Sequence, residues 1–229
     1  MSFFIDQLKR ELTGTTTIEM TEQLERGLLY APDAITMIGY LRLDNLQYCV
    51  EEVLKENIPG DLIETGVWKG GAVIFMATLL KIHGATNRKV FVADSFEGLP
   101  KPIYKQDLGD THYLMQHLRV TEAEVRKNFE DYGVMGENIV FLPGWFKDTL
   151  PEAPITDLSV LRLDGDMYGS TMDALKYLYP RLSPGGFCII DDFGLGGCQR
   201  AVMEYRDRMN IVEQIQQIDD FGVYWRKDA

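Results

Sequence analysis

From about residue 60 onward, short apolar runs alternate with stretches whose apolar residues recur at helical spacing. The runs "DLIETG" (61–66), "KVFVADS" (89–95), "NIVFLPG" (138–144), "LSVLRLDGD" (158–166) and "GFCIIDD" (186–192) are nearly continuous in apolar residues, which predicts strands buried on both faces. Between them "GAVIFMATLLKIHG" (71–84), "TEAEVRKNFEDYG" (121–133) and "STMDALKYLYPRL" (170–182) predict helices, the second opening on the capping-box pair Thr121 and Glu124. Repeated strand–helix units imply a parallel sheet with helices on both faces. The end differs: "IVEQIQQID" (211–219) and "VYWR" (223–226), joined by a turn at "DFG", predict an antiparallel hairpin.

Ahead of the first strand, "TMIGYLRLDNLQYCVEEVLKE" (36–56) predicts a helix, and Phe3, Phe4, Ile5, Leu8 and Leu12 fall near helical spacing at the start of the chain. Residues 13–33 lack strong periodicity and read equally as a flap over a site or as a mobile connection.

With 229 residues and 45% hydrophobic content the chain can bury one full core. We therefore expect a single domain over 1–229, with 1–57 as an N-terminal helical extension and candidate lid and 58–229 as the α/β core. Its 23 basic and 35 acidic residues give a net charge of −12, which argues against a nucleic-acid partner and for a small ligand or a metal ion. No stretch approaches the roughly 20 apolar residues that span a bilayer, and the N-terminus lacks the basic and apolar regions of a secretory leader. A cytoplasmic protein with no membrane partner is expected. Cys49, Cys188 and Cys198 are too few and too scattered for a disulfide framework and read as buried or incidental thiols in a reducing compartment.

The candidate chemistry lies at the strand ends. "ETGVWKGG" (64–71) joins the first strand to a helix, the place where α/β sheets bind ligands on backbone N–H groups. Gly66 permits a tight turn, and Gly70 and Gly71 are read as letting the backbone approach a ligand; neither dinucleotide nor P-loop spacing is present. A purely structural turn would also use these glycines. The second strand ends in "VADSF", where Asp94, with Ser95 beside it, is placed to accept hydrogen bonds from a ribose diol, a helix cap being the alternative. The third runs into Gly144, Trp145 and Phe146, whose rings suit an adenine, although aromatics there also serve as plain core.

Asp164 and Asp166 close the fourth strand, and Asp191 and Asp192 close the fifth, on the same edge of a parallel sheet. Carboxylates so close raise one another's pKa unless a cation neutralises them, and an oxygen-only set selects a hard ion such as Mg²⁺. For any one of them a helix cap or a surface charge is the plain reading. His83, His112 and His117 are rival bases, His83 at a helix end and the other two in an unassigned segment, 103–120.

Several long stretches, among them "GDLIETGVWKGGAVIF", "VFVADSFEGLPKP", "VFLPGWFKDTLPEAP", "LRLDGDMYGSTMDAL" and "YPRLSPGGFCIIDDF", cover much of residues 36–226 together with their neighbours. The chain resembles, through them, the S-adenosylmethionine-dependent and Mg²⁺-dependent O-methyltransferases of the macrocin O-methyltransferase (TylF-like) type, which act on deoxysugars of antibiotics. The resemblance implies a Rossmann-like class I α/β fold, a mostly parallel seven-stranded sheet with an antiparallel C-terminal hairpin. It implies S-adenosylmethionine with Glu64, Thr65 and Gly66 beside its methionine part, Asp94 on its ribose and Gly144 to Phe146 near adenine. It also implies Mg²⁺ on Asp164, Asp191 and Asp192, Asp164 as base for a sugar hydroxyl, a glycosylated small-molecule substrate, and a homo-oligomer, dimer or higher. Asp166 is read as acting beside the metal ligands or on the acceptor. The segment 103–120 matches no motif, which leaves the substrate open. Two rivals remain at this point: a metal-dependent glycosyltransferase using "DGD" as a D-x-D site, and a cofactor-binding module without turnover.

Overall fold

The computed structural model describes residues 2–16 and 18–228. Seven strands form one sheet: β1 (Asp61–Thr65), β2 (Val90–Asp94), β3 (Ile139–Pro143), β4 (Leu158–Leu163), β5 (Leu182–Ile190), β6 (Gln216–Gln217) and β7 (Val223–Arg226), in the order β3-β2-β1-β4-β5-β7-β6. The first five are parallel, and β7 pairs antiparallel with both β5 and β6. The order reverses between β1 and β4, which opens a crevice at their carboxyl ends.

The near-continuous apolar runs serve two cores. Alternate residues project to opposite faces: Leu62, Val92, Val160 and Ile189 join one buried cluster, and Ile63, Phe91, Leu161 and Cys188 the other. The first face is covered by α1 (Ser2–Leu12), α3 (Tyr40–Lys55), α4 (Gly71–Ile82) and α5 (Glu122–Asp131); a short α2 (Glu22–Glu25) precedes α3. The second is covered by α6 (Phe146–Thr149), α7 (Tyr168–Leu178) and α8 (Gly196–Met209). Thr121 is the N-cap of α5 as expected, its Oγ1 accepting the Glu124 amide at 3.3 Å. Among the described residues no helix is long and apolar enough to cross a membrane.

One expectation needs correction. The expected strand over 211–219 shrinks to Gln216–Gln217, because α8 ends at Asn210 in a left-handed conformation (φ +53°) and the chain then leaves the sheet, with Val212 84% exposed. Helix α8 itself went unassigned, although Cys198, Ala201, Val202 and Tyr205 recur at i, i+3, i+4 and i+7 and are its buried face. The "DFG" turn is closed by Asp219, whose Oδ1 accepts the amides of Phe221 (2.9 Å) and Gly222 (2.7 Å).

Candidate active site

The site begins where β1 and β4 stop together. Gly66 has φ +84°, and a Cβ there would lie 1.6 Å from the carbonyl oxygen of Asp164. Only glycine lets the ligand loop turn against the strand end that carries the first acid. Gly70 and Gly71 are different from the expectation: side chains there would meet Val125 and Thr36, so these glycines serve packing of α4 against α5 and the N-terminal extension, not approach to a ligand.

Asp94 ties the β1 and β2 loops to each other. Its Oδ2 accepts the Val67 amide at 2.8 Å and its Oδ1 the Phe96 amide at 2.7 Å. Burial holds this carboxyl above its ordinary range, and the amide hydrogen bonds oppose that shift. Trp68 (φ +47°), Phe96 (φ +55°) and Asp166 (φ +55°) adopt the left-handed region, an unfavourable conformation for such residues. All three sit on loops at the carboxyl edge of the sheet, where strain concentrates at functional sites.

The acids divide into two groups. Asp164, Asp166 and Asp192 each offer an oxygen within 4.8 Å of the others. Asp192 Oδ2 accepts the Asp166 amide at 2.8 Å, which folds the "DGD" loop back onto the end of β5. Asp191 is turned away: its Oδ2 accepts from Arg42 Nη1 at 2.5 Å and its Oδ1 from Arg162 Nη2. Asp164 and Asp192 thus belong both to the expected ligand set and to the observed cluster. The third place in the cluster falls to Asp166, because two guanidinium groups hold Asp191.

Arg162 lies wholly buried on β4, in register with Glu64 on β1, and donates to Glu64 Oε1 and, at 2.9 Å, to Asp164 Oδ2. Arg42, from α3, also donates through Nε to Asp219 Oδ2 at 2.6 Å, so this one guanidinium ties the N-terminal extension to both Asp191 and the terminal hairpin. Burial disfavours both guanidinium charges, but the surrounding carboxylates outweigh it and hold both above their usual pKa. The same burial, with Arg162 opposing, pushes Glu64 up to about 7. Burial and the neighbouring charge of Asp191 hold Asp164 well above the ordinary carboxylate range; burial and the charges of Asp166 and Asp164 do the same for Asp192. Asp166 is raised to about 6 by burial, with His112 opposing.

The strand-end acids face a cavity of about 690 Å³. Glu64, Gly66, Asp94, Ser95, Trp145 and Phe146 line it, together with Asp164, Asp166, Asp191 and Asp192. Thr65 and Gly144 do not: Thr65 is buried within β1, and Gly144 (φ +129°) turns the chain against Thr149. Glu64 Oε2 is buried at the cavity without a hydrogen-bond partner, an acceptor suited to a ligand ammonium or hydroxyl. Gly27 and Leu28 of the 13–33 stretch border the cavity, so that part of it is wall; Thr17 of the same stretch lies outside the described residues. His112 also lines the cavity, its Nδ1 2.8 Å from Asp110 Oδ1, whereas His117 contributes its carbonyl to Trp68 Nε1 (2.8 Å) and His83 pairs with Glu51 at 3.3 Å.

Sequence reasoning missed Arg42, Arg162, Asp107 and Asp219. Arg162 carried a signal: a charge inside a fully apolar strand run must find a buried partner. Glu64, at the equivalent place on β1, is that partner.

The macrocin-O-methyltransferase (TylF) family model matches residues 3–227. The tetracenomycin-C rhamnosyl 4'-O-methyltransferase of Streptomyces olivaceus is 53% identical over 206 residues, 86% of this chain and 77% of that protein. The mycinamicin III 3''-O-methyltransferase of Micromonospora griseorubida is 48% identical over 237 residues, covering 100% of this chain and 93% of that one. The structure of the O-methyltransferase NovP superposes with a TM-score of 0.96 at 44% identity, covering 100% of this chain and 99% of its own. A calicheamicin methyltransferase, at 20% identity and a TM-score of 0.69, shares the fold. Matched along nearly its whole length by the family model and by relatives about half identical to it, the chain belongs to the macrocin-O-methyltransferase family and is an S-adenosylmethionine-dependent O-methyltransferase of Rossmann-like class I fold.

Proposed function

We propose that this enzyme methylates a hydroxyl of a deoxysugar carried by a glycosylated natural product of antibiotic biosynthesis, and that Mg²⁺ assists. The sugar is supported by the relatives, one of them named for a rhamnosyl tetracenomycin and others for mycinamicin III and demethyldecarbamoylnovobiocin. The observation that carries the metal is the cluster of Asp164, Asp166 and Asp192, three oxygens within 4.8 Å of one another at the cavity wall. That donor set is hard and anionic, which fits Mg²⁺. When bound there, Mg²⁺ would polarise the sugar hydroxyl and lower its pKa.

The remaining steps belong to this chain's own residues. Asp164 Oδ2 is held by Arg162, which fixes the carboxylate and leaves Oδ1 to take the hydroxyl proton as the oxygen–methyl bond forms and the sulfur–methyl bond breaks. Glu64, with its unpartnered Oε2, and Asp94, already fixed by two loop amides, are the acceptors for the cofactor's amino acid and ribose ends. Ser95 extends the ribose side; Trp145 and Phe146 wall the adenine. Gly66 and Gly144 act through the turns they allow, and Thr65 through the strand it completes. Orientation of the hydroxyl is the larger effect: alignment alone supplies about 7–11 kcal/mol in well-ordered systems.

We read residues 1–229 as one domain and the setting as the cytoplasm, in accord with three buried free thiols at Cys49, Cys188 and Cys198. Phe3, 82% exposed on α1, and Phe4 beside it support a homo-oligomer, and the charge of −12 weighs against nucleic acid. Family membership leaves the glycosyltransferase reading without ground.

The test is transfer of methyl label from S-adenosylmethionine to a panel of acceptors, the demethylated rhamnosyl tetracenomycin, mycinamicin III and demethyldecarbamoylnovobiocin among them. Label on the sugar of at least one is expected. Label on an aglycone, or on none while glycan-free phenols are methylated, contradicts the proposal.

A further inference from the structure

Residues 95–121 connect β2 to α5 with no strand or α-helix, only 3₁₀ turns at 105–107, 112–114 and 116–118. Tyr104, Asp107 and His112 of this segment reach the cavity. Val120 anchors its end in the core, but Ile103, Leu108 and Leu114 are largely exposed, so hydrophobic burial is not what fastens the stretch from 103 to 114. Between these residues the buried one is polar: Asp107 is 3% exposed.

Both Asp107 oxygens are engaged. Oδ1 accepts the Tyr168 amide at 2.7 Å and Oδ2 the Gly169 amide at 3.0 Å. These are the first two amides of α7, and the N-cap residue Met167 makes no side-chain capping bond of its own. The cap therefore comes from 61 residues upstream. The helix it caps starts directly behind the loop that carries Asp164 and Asp166.

The surroundings are shaped for that contact. A Cβ on Gly169 would stand 2.6 Å from the Tyr104 ring, and one on Gly197, at the start of α8, would stand 3.3 Å from Asp107 Oδ1. The Tyr104 and Tyr168 rings pack at a tilt of 59°, 5.8 Å between centroids. Beyond the anchor, the Asp110 amide donates to the Asp107 carbonyl at 3.0 Å, and Asp110 Oδ1 accepts the His112 amide at 2.7 Å. A continuous set of short contacts thus runs from the helix start to His112, which lines the cavity beside Asp166. At its other end the segment is held to the β1 loop by the Trp68–His117 bond described above.

We propose that Asp107 is a positioning residue for the acceptor. Its one carboxylate joins the segment that walls the acid-cluster side of the cavity to the helix behind those acids, so that acceptor contacts and acid placement form one assembly. This rests on the reading of the cavity as a methyl-acceptor site. A negative group at a helix start is favourable in itself. What sets Asp107 apart from an ordinary cap is that removing it frees residues 103–116, not only the first turn of α7.

The experiment compares Asp107→Ala and Asp107→Asn with the wild type in the full chain. Cofactor affinity is measured by calorimetry with S-adenosylmethionine, kcat and KM with whichever panel acceptor the wild type methylates, and cut sites by limited proteolysis. For Asp107→Ala the acceptor KM is expected to rise about ten- to a hundredfold with a smaller change in kcat. The cofactor Kd is expected to stay within about twofold, since no cofactor contact is touched. New cuts are expected to fall within 103–116. Asp107→Asn keeps one acceptor oxygen and is expected to lie between; it carries the same readouts if the alanine variant does not fold. An unchanged KM, a cofactor Kd that rises in step with it, or cuts spread over the whole chain would overturn the proposal. If the wild type methylates no panel acceptor, it is the substrate reading that fails, and the location of the new cuts still decides the anchoring.

Discussion

Replacing Asp164 with asparagine is expected to lower kcat by about 10²–10⁴-fold, the usual worth of a positioned proton acceptor. The exchange preserves size and keeps a hydrogen-bond acceptor for Arg162 Nη1, so the local fold is retained. What is lost is the basic oxygen on the cavity side and one oxygen of the three-acid cluster. Because Asp164 stands against Gly66 only through its backbone carbonyl, the β1 turn is undisturbed and cofactor affinity is expected to stay within about twofold. Single-turnover label transfer at saturating cofactor, with calorimetric cofactor binding, checks both halves. Activity within about tenfold of wild type would remove Asp164 as the base.

The largest effect on stability is expected at Arg162. Arg162→Leu preserves much of the buried volume but leaves Glu64 and Asp164 without the cation that holds them, and Asp191 with Arg42 alone. Removing one partner of a buried ionic network costs about 3–5 kcal/mol. For a chain of this size that lowers Tm by roughly 6–20 °C. The deficit is expected to grow with pH. Glu64 is already raised from its ordinary 4.5 to about 7 in the folded protein, so the fold binds a proton that the unfolded chain releases, and stability falls as pH rises through that window. Without Arg162 the window extends upward. Arg162→Lys, with a point charge in place of a fork, is expected to fall between. Melting curves from pH 5 to 8 provide the check; a Tm within about 3 °C of wild type at pH 8 would mean that the network contributes little.

Much of the sheet was legible because it is buried on both sides. Continuous apolar runs such as "VFVA" and "LSVLRL" admit few other readings, and their ends located Gly66, Asp94, Asp164 and Asp192 at one edge. The pairing of acids was less legible. Asp191 and Asp192 are adjacent, so they point to opposite sides, and which one meets the cavity cluster depends on Arg42 and Arg162, located 149 and 29 residues earlier. The role of Asp107 was hidden for the same reason: its partners are backbone amides 61 and 62 residues away, and a backbone amide leaves no trace in sequence. Helix α8 has an apolar stripe at helical spacing, yet its surface is dense with Gln199, Arg200, Glu204, Asp207 and Arg208, which mask that face in the sequence. The opposite error at 211–219 lies in extending a hairpin back from its turn: Ile211, Val212 and Ile215 are apolar and precede "DFG", but only Gln216 and Gln217 reach β7.

In the proposed function, Asp164, Asp166 and Asp192 at the carboxyl edge of the sheet serve methyl transfer to a sugar hydroxyl through a divalent cation. The most direct test of that role is the initial rate of label transfer to the sugar acceptor by enzyme stripped with a chelator, before and after Mg²⁺ is restored, with cofactor affinity measured in both states. The account predicts a rate at background in chelator, recovery on adding Mg²⁺, and an unchanged cofactor Kd; an undiminished rate in chelator would contradict it.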